Sequence, residues 1–259
     1  MDLGLAGRTY LLTGASRGLG LAAASALTAE GAEVVISARD GNALSAAAAG
    51  LGGRAVALPA DLADPDAAER LVAGTIARFG RLDGALISVG GPATGSPLSV
   101  TDEQWRSGFE SVLLGAVRTI RAVAAAATVE PDAPLGSGPA LVAVLSTSAK
   151  SPISGLTVSN GLRPGLAMLV KDFADELGPR GIRINGVMPG RIATDRTVAL
   201  DSAMGNAAAN RRRNEAAIPL GRYGDPDEFG RLAAFLLSPA ASYITGSLVP
   251  VDGGSLRAL

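Results

Sequence analysis

The sequence predicts an α/β fold: a doubly wound parallel sheet in a single domain over residues 1–259. Three observations carry this expectation. Short apolar runs alternate with helical stretches along the whole chain. A glycine-rich turn separates the first run from the first helical stretch. The residues are 47% hydrophobic but only 3% aromatic, so the core must be made of Ala, Val, Leu and Ile. Continuous aliphatic strands joined by helical crossovers make a parallel sheet covered on both faces, and right-handed crossovers wind it doubly.

The first apolar run, 9–12, leads into Thr13-Gly14-Ala15-Ser16-Arg17-Gly18-Leu19-Gly20, and an alanine-rich helix follows over 19–30. A strand, a tight turn and a helix N-terminus form an anion site, because outward-facing N–H groups and the helix dipole favour negative charge. The glycines turn the chain sharply, let a pyrophosphate approach the backbone and pack helix on strand. The ligand implied is a dinucleotide, and the sheet is of the Rossmann type.

Runs 33–37 and 55–59 read as the second and third strands, with a helix over 41–49 between them. A helix over 65–79, a strand at 84–88 and a long helical stretch over 101–128 follow. Trp105 and Phe109 stand four apart on that stretch and read as packing residues. The Gly/Pro-rich segment 130–139 reads as a surface loop before the strand run 140–146. The next helix, 164–177, begins or kinks at Pro164, since proline suits a first turn and damages an interior. After the run 183–188 comes a polar helical excursion over 196–217. An insertion at the strand C-termini predicts a substrate lid, assigned to 191–217. A helix over 226–237 and a strand at 247–251 complete the pattern.

Composition excludes several chemistries. There is no cysteine and no histidine, so disulfides, thiol nucleophiles and His or Cys metal sites are absent. The usual general base at neutral pH is missing as well. A net charge of -1 offers no field for nucleic acid and no polybasic membrane surface. No apolar run is long enough to span a bilayer and no secretory signal is visible, so a soluble cytoplasmic protein is expected.

Taken in order, these motifs resemble the short-chain dehydrogenase/reductase family over essentially the whole chain. Thr13 to Gly20 resembles its nucleotide loop, and Asp61-Leu62 the pair that holds adenine. Ser88-Val89-Gly90-Gly91 stands where Asn-Asn-Ala-Gly is usual. Asn185-Gly-Val-Met-Pro189-Gly190 with Thr194 resembles the segment lining the nicotinamide. Pro219-Leu-Gly-Arg222 and Tyr243-Ile-Thr-Gly246 through Gly254 resemble the C-terminal sheet and oligomer region. The resemblance implies a cofactor site of Gly14, Ser16, Arg17, Gly18, Leu19, Gly20, Arg39, Asp61, Leu62, Ser88, Gly90, Pro189, Gly190, Ile192 and Thr194. It also implies a small-molecule substrate and a homo-tetramer or homo-dimer.

The second strand ends in Ser37-Ala38-Arg39-Asp40, without the acidic residue that binds the ribose hydroxyls of NAD at this place. Ala38 leaves room, while Arg39 and Arg17 can pair with a 2′-phosphate through forked donors. NADP(H) is therefore expected over NAD(H).

The catalytic centre departs from the family's Asn, Ser, Tyr and Lys. Counting back from Arg180-Gly-Ile-Arg183 places the Tyr and Lys positions at Ser159 and Arg163, and counting from Trp105 places the Asn position at Val112. The serine remains as Ser146, thirteen residues before Ser159, with Thr147 and Ser148 able to take its place. Serine is a poorer acid than a phenol, and arginine stays protonated. Ser146 and Arg163 can still stabilise an oxyanion. Lys150 is the candidate acid or base if desolvation tunes it. Tyr10, Tyr223 and Tyr243 are no evident substitutes. Arg191 is the candidate receiver of an acidic substrate or the cofactor phosphates, whereas Arg211, Arg212 and Arg213 read as surface charge.

Two functions fit. One is an NADP(H)-dependent oxidoreductase acting on a carbonyl, alcohol or activated alkene through an atypical centre. The other is an NADP(H)-binding protein without redox turnover: a sensor, a partner subunit or a non-redox enzyme on the same scaffold.

Overall fold

Seven parallel strands form one sheet in the order β3-β2-β1-β4-β5-β6-β7. They are β1 (Thr9–Thr13), β2 (Glu33–Ser37), β3 (Ala55–Ala57), β4 (Gly84–Ile87), β5 (Ala140–Val144), β6 (Arg183–Pro189) and β7 (Leu248–Val251). The computed structural model describes residues 2–127, 138–203 and 205–258. Of the loop expected over 130–139, residues 130–137 lie outside the described residues. β3 stops two residues short of the expected run, before Pro59, which has no N–H for a ladder.

Side chains alternate across the sheet. Tyr10 and Leu12 of β1 enter one core with Val34, Ile36 and Phe229, and Leu11 enters the other with Val35, Ile87, Ile120 and Leu141. Helices α1 (Gly18–Ala29) and α2 (Gly41–Gly50) cover the first face. Helix α3 (Ala67–Phe79) packs on the second. Every residue of β1, β4 and β5 is buried, the signature of strands covered on both sides.

The long helical stretch is interrupted. Helix α4 (Asp102–Gly108) opens on a capping box made by Thr101 and Gln104. It passes through a π-helical turn, Phe109–Leu114, into α5 (Gly115–Ala126). Val112 lies in that turn, fully buried against Val158 and Leu162.

The expected start at Pro164 is corrected: helix α6 runs Thr157–Leu177 with Pro164 inside it. An interior proline costs about 3 kcal/mol in an isolated helix. Here Val158, Leu162, Leu166, Ala167 and Val170 are buried on one side, and that packing holds the turns on either side of the ring. The polar excursion folds as α7 (Asp195–Ala203) and α8 (Ala207–Ala216), followed by α9 (Pro226–Leu237), which lies beside α1. Among the described residues no helix is long and apolar enough to cross a membrane.

The chain leaves β1 toward β2 and β3 on one side and returns to β4 on the other. That reversal opens a crevice at the C-terminal ends of β1 and β4, where such sheets bind ligands.

Candidate active site

A cleft of about 1840 Å³ occupies this crevice, more than a drug-sized ligand needs and enough for a dinucleotide with a substrate. All the expected cofactor residues line it, from Gly14 and Ser16 to Ile192 and Thr194. Its floor is fixed by two bonds between β1 and the end of β4. The Thr13 hydroxyl donates to the Ser88 carbonyl at 2.7 Å and accepts from the Ser88 N–H at 3.0 Å.

The turn itself admits only glycine at two places. Gly14 has φ +59°, and a Cβ there would stand 2.6 Å from the Ser88 carbonyl oxygen. At Gly20 a Cβ would lie 2.5 Å from the Gly14 carbonyl oxygen. The backbone is thus kept bare where α1 begins, and the residues present fit a pyrophosphate on main-chain amides.

At the end of β2, Asp40 is turned away from Arg39. Its carboxylate caps α2, accepting from the N–H groups of Asn42 and Ala43, both at 3.1 Å. Arg39 is exposed on the cleft and makes no ion pair among the described residues. Arg17 approaches Asp195 at 3.9 Å with both side chains largely exposed, a contact that water and salt screen. At the adenine end, Asp61 turns back to accept from the Ala63 N–H at 3.1 Å, and Leu62 lies against Gly115.

The other end of the cleft is built from side chains. Ser146, Ser159 and Arg163 all line it. Ser146 follows β5 and caps a 3-10 turn, its Oγ accepting from the Ser148 N–H at 3.0 Å. Ser159 and Arg163 share the face of α6 that meets β5. The Ser159 hydroxyl bonds that of Ser148 at 3.1 Å. Ser148 is buried behind Ser159 and does not line the cleft. Arg163 is 6% exposed, and its Nη1 donates to the Val144 carbonyl, which anchors it beside Ser146. Its Nε is buried and has no hydrogen-bond partner among the described residues. Burial, and then the charge of Arg196, push the Arg163 guanidinium down to about 10, so it remains charged at neutral pH.

Two expectations need correction, those for Arg191 and Pro164. Lys150 lines the cleft with an exposed side chain. Its loop is fixed by Asn160, which clasps the Ile153 N–H and carbonyl at 3.0 and 2.9 Å. Arg191 cannot stand as an open anion receiver, because it pairs with Asp201 at 3.2 Å. Asp201 is buried and also accepts from the Tyr223 hydroxyl at 2.9 Å and the Asn214 amide at 3.1 Å. Arg191 and Arg211 flank the Tyr223 ring, 5.9 and 5.0 Å from its centroid, so this cluster fastens α7 and α8 to the segment that follows β6. Pro164 leaves Ser159 and Arg163 on one helix face, as described above.

No tyrosine lines the cleft among the described residues. Tyr10 donates to the Leu237 carbonyl in the core, Tyr223 serves Asp201, and Tyr243 is fully exposed. Trp105 is packed against Gly161, and Phe109 is partly exposed. Sequence reasoning missed Arg196, which lies on the first turn of α7 and reaches across the cleft to Gly91. Its only local signal was its place two residues after Thr194.

Comparisons with known proteins agree with this architecture. A family model described as enoyl-(acyl carrier protein) reductase matches residues 14–255. The chain is 37% identical to L-rhamnose 1-dehydrogenase (NAD(P)(+)) of Azotobacter vinelandii, over 95% of this chain and 96% of that protein. It is 32% identical to 2,5-dichloro-2,5-cyclohexadiene-1,4-diol dehydrogenase of Sphingobium indicum, over 96% and 97%. The crystal structure of L-sorbose reductase from Gluconobacter frateurii, complexed with NADPH and L-sorbose, superposes with a TM-score of 0.90 at 27% identity over the whole of both chains. A parallel Rossmann sheet, a glycine cradle at its switch point and full-length relatives named as dehydrogenases and reductases have one explanation: the chain belongs to the short-chain dehydrogenase/reductase family of oxidoreductases.

Proposed function

We propose that the chain is an NADP(H)-dependent oxidoreductase that acts on a carbonyl, alcohol or activated alkene of a small molecule, with Ser146 and Arg163 in place of the family's usual acid. One observation carries this reading: Ser146, Ser159 and Arg163 line the same cleft as the glycine cradle. A bound nicotinamide dinucleotide supplies or accepts the hydride. Ser146 donates a hydrogen bond to the substrate oxygen, and Arg163 holds a fixed positive charge beside it, so negative charge developing there is stabilised. Ser148 orients the Ser159 hydroxyl toward the same place. Water or Lys150, which lines the same cleft, manages the proton. Helices α7 and α8 act as the lid over the substrate, held by the Asp201 cluster.

Selection of NADP(H) over NAD(H) rests on Arg39, whose acidic neighbour is committed to its helix cap. The named relatives with NAD(P)(+) and NADPH support a nicotinamide cofactor in general. We place the protein in the cytoplasm, as a homo-tetramer or homo-dimer. The exposed Met168 on α6, Phe109 beside α4 and Tyr243 near β7 support association through those elements, which light scattering can measure.

The test is oxidation of NADPH in the presence of a panel of ketones, aldehydes and enones, with S146A and R163M as controls. Turnover that survives both substitutions sinks the proposed centre. The absence of a cleft-lining tyrosine favours the second reading, NADP(H) binding without redox turnover. Tight NADPH binding with no oxidation by any member of the panel would establish it.

A further inference from the structure

We propose that Asn214 is a specificity residue, whose side-chain carbonyl accepts a hydrogen bond from a substrate hydroxyl away from the reacting carbon. This rests on the oxidoreductase reading and names a substrate class within it: hydroxylated carbonyl compounds and the polyols they interconvert with. Asp201 lies behind the lid wall, 4% exposed, and a buried carboxylate needs donors. Arg191 supplies one at 3.2 Å and the Tyr223 hydroxyl another at 2.9 Å. The third is the Asn214 amide nitrogen at 3.1 Å. That same nitrogen donates to the Tyr223 oxygen at 3.0 Å.

An amide nitrogen carries two hydrogens, and both are committed. Turning the amide over would set its oxygen against the Asp201 carboxylate, acceptor against acceptor. The network therefore fixes the nitrogen inward. Asn214 lines the cleft, and its carbonyl oxygen accepts no hydrogen bond among the described residues, so that oxygen is the polar atom left for a ligand. The wall around it is aliphatic. Among the described residues of 199–218, the others on the cleft are Ala199, Leu200, Ala217 and Ile218. One fixed acceptor in an apolar wall orients a ligand by whichever of its groups can donate.

The donor assigned is a hydroxyl and not an ammonium group. Lys150, Arg163 and Arg257 line the same cleft without an ion pair among the described residues, and Asp201 is already matched by Arg191. A cationic lining repels a cationic ligand, whereas a neutral O–H is free to meet the amide. Asn214 stands on α8 and Ser146 at the turn after β5, so the hydroxyl belongs to a part of the substrate other than the reacting carbon.

The experiment is calorimetric titration of the NADPH-saturated protein with butane-1,3-diol and pentane-1,4-diol, beside 2-butanol and 2-pentanol. Cofactor and alcohol are both reduced, so binding is read without turnover. At least one diol should bind about 3- to 10-fold more tightly than its mono-alcohol. N214A should abolish that preference and leave the affinities for mono-alcohol and NADPH as they were. Equal binding of diols and mono-alcohols, or no diol binding, overturns the assignment, and so does a preference that survives N214A. An N214A protein that weakens diol and mono-alcohol alike, or loses NADPH as well, also overturns it, since Asn214 would then only hold the lid or touch the cofactor. Should N214A fold poorly, the terminal methyl ethers of the two diols decide the matter on the unaltered protein. They lack the distal donor and should bind like the mono-alcohols; ethers that bind as tightly as the diols overturn the acceptor role. A diol preference without turnover of any hydroxyketone sinks the redox reading and leaves the role of Asn214 standing. If NADPH itself does not bind, the dinucleotide reading fails, and the same titrations on the free protein still read Asn214.

Discussion

The glycine turn after β1 and the serine–arginine cluster at the head of α6 line one cleft but present different chemistry to it. The turn offers backbone amides, and its demands are steric: no Cβ fits at Gly14 or Gly20. The cluster offers two hydroxyls and one guanidinium group, held by neighbours on β5, the 3-10 turn after it and α6. A backbone cradle depends on a few glycines and so stays recognisable in a sequence. A side-chain centre can be rebuilt with other residue types, provided charge is still stabilised at the same place. Under the proposed function, this is how the chain keeps a glycine cradle for the dinucleotide while its catalytic centre uses other residue types.

The largest break in that contrast should come at Gly14. Gly14→Ala forces a left-handed residue and a collision with the Ser88 carbonyl, costing about 2–5 kcal/mol of stability. NADPH affinity should fall about 100-fold or more as the turn shifts. Thermal melting and fluorescence titration measure the two effects, and a variant that binds NADPH normally would refute the cradle.

Arg163→Met sharpens the contrast from the other side. It should lower kcat/KM about 100- to 1000-fold, because a charge at the reacting oxygen is lost. It should also stabilise the substrate-free protein. The folded-state pKa of Arg163 is depressed to about 10. Between that value and the normal one the unfolded chain binds more protons, so wild-type stability rises with pH there. Below pH 10 the buried charge costs the fold roughly 3 kcal/mol. Losing the bond to Val144 returns about 1 kcal/mol of that gain. R163M should therefore melt higher at pH 8, and its advantage should shrink as pH rises through 10. A lower melting temperature at pH 8 would argue that the charge is not uncompensated.

Arg39→Ala should weaken NADPH binding about 10- to 100-fold and leave NADH nearly unchanged. Equal losses for both would show that Arg39 does not read the 2′-phosphate. The smallest effect is expected of Ser148→Ala, which removes one hydrogen bond behind the reacting groups. Turnover should fall only about fivefold, with no change in cofactor affinity. Steady-state kinetics beside S159A tests this, since the double variant should be no worse than S159A alone.

The strands and the cofactor end were legible because their signals are local. Continuous aliphatic runs mark β1, β2, β5 and β6 whatever they pack against, and the glycine turn follows β1 directly. Pro164 misled for the same reason: its local rule is sound, but the apolar face of α6 outweighs it. Arg191 looked open because Asp201, ten residues away, shows no sign in sequence of turning back toward it. Counting from Ser159 placed Ser146 at the cleft, but not that Ser148 would hold the Ser159 hydroxyl from behind.

From its sequence alone the chain determined an α/β sheet, a glycine turn after β1 and a family. Periodicity, glycine placement and residue identity are properties of neighbours along the chain, and those features need nothing more. Tertiary structure decided which charges are neutralised: Asp201 pairs with Arg191, Asp40 turns from Arg39, and Arg163 is buried with no ion pair among the described residues. Electrostatic energy depends on distance and solvent exposure in three dimensions, so only the fold could separate the committed cations from those left to act.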